Sequence, residues 1–239
     1  MITESDAAAA AAPERWERLP ERLGYERTRE NITGLLAGRP ELSAVPVPAC
    51  PGWTVRDLLA HLLDVCQGVV NGVPRLPLEH PDPDDEAGLA ELLDRWSELS
   101  AQLPDAFEGL LGFKMTMDIL VHELDLRHAL GVPVPADHPA YPASLDLVTL
   151  GMGLTVIEQG LPALRLETPG ASWVVGRGEP AVTVRGHRYD LFRSLTGRRT
   201  LGQIARLDWS EPPERWLPAF TWPPFDPPAE PFEPMADGS

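Results

Sequence analysis

Near residue 161 the apolar residues of this chain change period, and that change limits the fold more than any other feature. Before it, apolar side chains recur every three or four residues over segments long enough for helices of several turns. After it they fall in short runs, Leu164 to Thr168, Ser172 to Gly176 and Ala181 to Arg185, parted by Pro/Gly turns that suit strands. Neither an all-helical nor an all-β fold accommodates both halves. The expected class is α+β, with an antiparallel helical bundle over residues 20–160 and a small mixed α/β domain over residues 161–225. The Ala-rich residues 1–19 read as a flexible tail, and residues 226–239 as a Pro-rich one.

Punctuation divides the first half into five helices. The first runs from Pro20, suited to a first turn, to Leu36, and Gly38-Arg39-Pro40 stops it. A proline-rich stretch from Pro40 to Trp53 reads as an extended loop. Thr54 is a good N-cap for the second helix, with Asp57 in the capping-box position, and Asn71-Gly72 ends it. Pro74 to Glu86 reads as loop. The third helix spans Glu86 to Leu103, with Leu89, Leu92, Leu93 and Trp96 at helical spacing; the fourth spans Gly112 to Leu130, and the fifth Ser144 to Gln159. Beyond the strands, short helices over Tyr189 to Thr196 and Thr200 to Ala205 and a last strand from Arg206 to Trp209 are expected. Residues from Glu211 on are expected to wrap the surface.

Composition excludes several functions. Of 239 residues, 43% are hydrophobic and 23% charged, which supports a buried core rather than disorder. The net charge of −16 argues against nucleic acid as a partner, because phosphate binding needs basic patches. No apolar run approaches the ~20 residues of a membrane span. Two cysteines make no disulfide framework, and the N-terminus lacks a basic and apolar leader, so a cytoplasmic monomer or homodimer is expected. Lys114 is the only lysine, and the Arg-, Pro- and Ala-rich usage suggests a GC-rich genome, such as an actinobacterium's.

The chemistry concentrates in three residues. Asp118 and His122 lie about 40° apart and one turn from each other on the fourth helix, with Asp125 on the same stripe. His61 edges the apolar face of the second helix, among Leu58, Leu62 and Val65. If these helices are neighbours, two imidazoles and a carboxylate converge, which is a recurrent way to build a metal site in a bundle. A hydrogen-bonded Asp–His pair in the core is the alternative reading of the same spacing. His128 stands about 240° round the helix from His122 and cannot join the group. Leu126 occupies the position where a zincin motif needs its second histidine. His80, His138 and His187 fall in loops or turns and read as solvated. Cys66 reads as core, and Cys50 has only Arg56 nearby to activate it. Asp125 can orient a ligand imidazole or pair with an arginine.

The string Cys50-Pro51-Gly52-Trp53-Thr54-Val55-Arg56-Asp57-Leu58-Leu59-Ala60-His61-Leu62 resembles a hallmark of the mycothiol-dependent maleylpyruvate isomerase family, within the DinB-like metal-binding four-helix bundles. Met117 to Arg127, followed by Ala129-Leu130-Gly131, is similar to that family's acid-x-x-x-His helix. Leu191 to Arg198 resembles a helix and Gly-Arg ending in its sterol-carrier-like C-terminal domain. The resemblance implies a divalent metal, usually zinc, held by His61, Asp118 and His122. The isomerase type has Glu where this chain has Asp118, a side chain one methylene shorter, so the carboxylate must come closer or bind through water. The resemblance further implies mycothiol as cofactor or co-substrate, and an isomerase or S-transferase acting on an electrophilic small molecule. A non-catalytic metal- or ligand-binding module is the alternative. Pro51 and Trp53 read as structural, Trp53 as an aromatic plug. Arg198, with Arg199, is a candidate contact for an anionic cofactor or substrate, against a plain solvated turn.

Overall fold

The structure is a computed structural model that describes residues 21–72, 87–103, 110–135 and 137–235. The expected N-terminal tail, the loop from Pro74 to Glu86 and His80 within it lie outside these residues. The described chain is α+β, with seven α-helices and a four-stranded mixed sheet. None of its helices is long and apolar enough to cross a membrane. It divides into two compact units, the first ending at Ala140 and the second starting at Tyr141.

The first unit holds α1 (Glu21–Leu36), α2 (Val55–Val70), α3 (Leu89–Ser100) and α4 (Leu110–Ala129). Helix α1 packs along α4, α3 packs along α2, and α2 also meets α4. Ile32, Leu36, Leu58, Leu59, Leu92, Trp96 and Ile119 join in one core. Cys66 is buried in it, as its place on the apolar face of α2 predicts.

Every residue of α4 from Ile119 to Leu126 is buried. A helix covered all round is ordinarily apolar all round. Here His122, Glu123 and Asp125 break that rule, and each carries a polar partner. Glu123 accepts from Arg127 Nε at 2.6 Å and from Asn31 Nδ2 at 3.1 Å, which ties α4 to α1. The Ala140 amide donates to His138 Nδ1, so in the neutral ring Nε2 carries the proton and donates to Glu123 Oε2 at 3.1 Å. Burial pushes the Glu123 carboxyl up, but the hydrogen bonds from His138 and Arg127, with the Arg127 charge, outweigh it and hold the group below the usual carboxylate range. His138 is therefore a buried partner of a buried acid and not the solvated loop residue that its position suggested.

The second unit opens with α5 (Tyr141–Glu158) and continues through β1 (Leu164–Thr168), β2 (Ala171–Val175), β3 (Val182–Arg185), α6 (Arg188–Leu195), α7 (Leu201–Ile204) and β4 (Asp208–Trp209). The sheet order is β2-β1-β3-β4, with β1 antiparallel to β2, parallel to β3, and β3 antiparallel to β4. Leu164, Leu166 and Thr168 alternate inward along β1. Helix α5, expected to belong to the bundle, packs instead against β2 and α6. Trp173 Nε1 donates to Asp146 Oδ1 at 2.9 Å, and Gly151 lies so close to the Trp222 ring that a Cβ there would meet it at 2.3 Å. The units consequently part twenty residues before the change of period. Periodicity identifies a helix, but it does not say which neighbour covers its apolar face.

The C-terminal segment also departs from expectation. Trp216, Phe220 and Trp222 are buried, and Glu233 reaches into the core of the unit. Arg193, itself fully buried, grips that carboxylate with Nε and Nη2, each at 2.8 Å. Arg199 donates to it as well and to Asp190 Oδ1 at 2.8 Å, while Gln203 Nε2 holds the Glu233 carbonyl at 2.9 Å. Arg199 thus belongs to a buried ion-pair cluster, not a solvated turn, and the segment is pinned rather than draped.

Removing one member of a buried ion pair leaves the others without compensation. Glu233→Ala should lower unfolding stability by about 3–5 kcal/mol in urea titration. The exposed neighbour Glu230→Ala should stay within about 0.5 kcal/mol of wild type.

Candidate metal centre

The site starts in the proline-rich loop ahead of α2. Backbone bonds from Val47 N to Trp53 O and from Val55 N to Val45 O fold residues 45–55 back on themselves. Trp53 N donates to Cys50 O at 2.9 Å and closes a tight turn. Pro51 supplies its fixed φ at the second position, and Gly52 takes φ +84° at the third, as a type II turn requires. Thr54 then caps α2 in both directions: its hydroxyl accepts from Asp57 N, and its amide donates to Asp57 Oδ2 at 2.9 Å. The expected capping box is present. It fixes the start of the helix that carries His61.

His61, Asp118 and His122 converge, with one ligand atom from each lying within 4.8 Å of the others. His61 Nε2 is 3.7 Å from Asp118 Oδ2, and His122 Nε2 is 3.7 Å from Asp118 Oδ1. These distances are too long for hydrogen bonds. They approach the ~3.4 Å that separates ligands placed tetrahedrally about 2.1 Å from one ion. Both nitrogens of His61 are buried without a hydrogen-bond partner, although a buried polar group left unpaired is costly. A cation beside Nε2 would give it a partner, so the donor set fits a metal ion. Two imidazole nitrogens and a carboxylate suit zinc, and three protein donors leave coordination positions open. The shorter Asp118 reaches both histidines, so the methylene missing relative to Glu does not separate the group.

The second nitrogen of His122 is committed. Nδ1 lies 3.1 Å from Asp125 Oδ2, and Asp125 is fully buried. With the Nδ1 proton on that bond, the Nε2 lone pair is left facing Asp118 and His61. This contact fits the first of the two roles open to Asp125 in the sequence, orientation of an imidazole. Trp53 packs its ring 5.2 Å from that of His61, and the His61 and His122 rings meet edge-on at 5.0 Å.

Other sequence candidates fall elsewhere. His128 is half-buried on α4 and joins neither cation-sized group among the described residues. His187 is exposed and caps α6, accepting from Tyr189 N. Arg198 belongs to the second unit, half-buried, with Nη1 donating to Thr196 O at 2.7 Å. Sequence reasoning placed nothing beside Asp125 from the loop, yet Cys50 Sγ lies 3.8 Å from its Oδ2. Helical periodicity cannot report on a loop, and the turn residues Pro51-Gly52 were the only available hint.

Trp53 is half-buried, so it anchors the loop less than a full plug would. Trp53→Ala should cost about 1.5–2.5 kcal/mol in urea titration, roughly half the loss for a fully buried aromatic ring.

The model of the mycothiol maleylpyruvate isomerase N-terminal domain matches residues 25–127. Two crystal structures of mycothiol-dependent maleylpyruvate isomerase, one of them a mutant, are similar to this chain at 17% identity. Each alignment covers 80% of this chain and 90% of the other, with TM-scores of 0.47 and 0.46. No curated protein sequence matches. Residues 25–127, the helical unit with His61, Asp118 and His122, are thus similar to the mycothiol maleylpyruvate isomerase N-terminal domain.

Proposed function

We propose that the protein is a zinc-dependent enzyme that uses a low-molecular-weight thiol, mycothiol, to isomerise an electrophilic small molecule or to transfer the thiol to it. The observation that carries this reading is the buried His61, without a hydrogen bond, beside Asp118 and His122. The match of residues 25–127 to the mycothiol maleylpyruvate isomerase N-terminal domain supports the choice of thiol.

His61 Nε2, an Asp118 oxygen and His122 Nε2 would hold the ion. When bound, such a cation lowers the pKa of a thiol placed against it, so that thiolate is available near neutral pH. The chain's own residues perform the positioning. Asp125 holds the Nδ1 proton of His122 and so keeps Nε2 free, and Trp53 packs against His61. Asp118 supplies the negative charge of the donor set. For isomerisation, the thiol sulfur adds to an activated C=C bond and leaves it single. Rotation follows, and elimination restores the double bond and returns the thiol. Transfer stops at the adduct. No nucleophile from the protein is needed in either case. Arg198 is our candidate for the anionic group of the substrate or thiol.

The test is metal analysis of purified protein, followed by thiol-dependent turnover of an electrophile panel that starts with maleylpyruvate. Wild type should carry one zinc per chain and require both zinc and thiol for activity. His122→Ala should lose both the metal and the turnover while remaining folded, because Leu58, Leu59, Leu92 and Trp96 supply the core without the ion. Zinc at 100 times its dissociation constant should stabilise wild type by about 2.7 kcal/mol and leave His122→Ala unmoved. Zinc binding without thiol-dependent turnover would favour a non-catalytic metal-binding module.

A further inference from the structure

Cys50 is a half-exposed thiol in the loop before α2, and the mechanism above does not use it. Its Sγ lies 3.8 Å from Asp125 Oδ2, the same oxygen that faces His122 Nδ1 at 3.1 Å. Cys50, His122 and Asp125 also place one donor atom each within 4.8 Å of one another, so a second cation there has to be weighed. The 3.1 Å separation decides against it. That is a hydrogen-bond length, shorter than the ~3.4 Å between two ligands of a tetrahedral zinc ion.

The geometry points to Cys50 as a positioning residue for the metal centre, acting through Asp125. Asp125 has no exposed surface, so its negative oxygen must be satisfied by donors inside the protein. The Cys50 S–H and the His122 Nδ1–H converge on one oxygen and share that task. A thiol is a weak donor. Its contribution is therefore to fix where Oδ2 stands, and with it the plane of the His122 ring, rather than to displace the imidazole N–H from that oxygen. The turn Cys50–Pro51–Gly52–Trp53 explains the sequence spacing, because one closed loop delivers Cys50 to Asp125 and Trp53 to His61. The loop thus braces both histidines from outside α2 and α4. This role rests on the metal reading proposed above.

The test is a double-mutant cycle read by zinc affinity and by the spectrum of the cobalt(II)-loaded protein, using wild type, Cys50→Ala, Asp125→Asn and the double variant. Thermal unfolding of each metal-free protein checks that it is folded. Asp125→Asn should weaken zinc binding about 10–100-fold, the usual cost of losing a partner of a ligating histidine. Cys50→Ala should weaken it by roughly threefold to tenfold, a smaller loss in keeping with a weak donor one step further out. In the Asp125→Asn background, Cys50→Ala should change nothing more, because its effect passes through Asp125. An unchanged zinc affinity in Cys50→Ala, or an equal loss with and without Asp125, would overturn the assignment. So would a thiolate-to-cobalt charge-transfer band in wild type that Cys50→Ala lacks, since Cys50 would then be a ligand. Wild-type protein that binds neither zinc nor cobalt would overturn the metal reading itself, and this role with it.

Discussion

A carboxylate removed from water must find donors, and the first unit is organised around two such groups on a single helix. Glu123 and Asp125 are both fully buried in α4. Leaving either unpaired would cost several kcal/mol of the total stability. Their needs select the surroundings of α4 on two sides. Glu123 draws in Arg127, Asn31 from α1 and His138 from the segment before α5. Asp125 draws in His122 from its own helix and Cys50 from the loop before α2. Satisfying Asp125 is also what aims His122 Nε2 at Asp118. The polar core and the candidate metal centre are parts of one solution.

Within that frame His61 stands apart. The buried acids of α4 have their donors, while both nitrogens of His61 are buried and make no hydrogen bond, with Asp118 Oδ2 3.7 Å from Nε2. Trp53 covers the ring and the Thr54–Asp57 capping box fixes its helix, so the imidazole is held where it is. A buried imidazole without a hydrogen bond, kept in place by a capped helix and a packed indole, fits a site that receives something added to the chain. Two nitrogens and one carboxylate are a donor set that suits the cation proposed above.

Much of this was legible in the sequence because it is local. The i, i+4 spacing of Asp118 and His122, the Thr54 cap with Asp57, and the alternating run from Leu164 to Thr168 are read within a few residues, and each appears in the structure as expected. What failed to show was long-range. The apolar face of α5 gave no sign that it would lie on β2 instead of closing the bundle. His138 looked like a loop histidine because its partner Glu123 is distant in sequence, and Arg199 looked solvated because Glu233 is too. A charged residue in a turn or a proline-rich segment is ordinarily solvated. Only three-dimensional pairing reverses that expectation. The loop position of Cys50 belongs to the same class.

The central claim, that His61, Asp118 and His122 hold a cation, is tested most directly by zinc-edge X-ray absorption on protein loaded with one zinc per chain and no added thiol. The account predicts a shell of nitrogen and oxygen at about 2.0–2.1 Å, the outer-shell scattering of two imidazoles, and no sulfur. A sulfur shell at about 2.3 Å, or a shell without imidazole scattering, would contradict it.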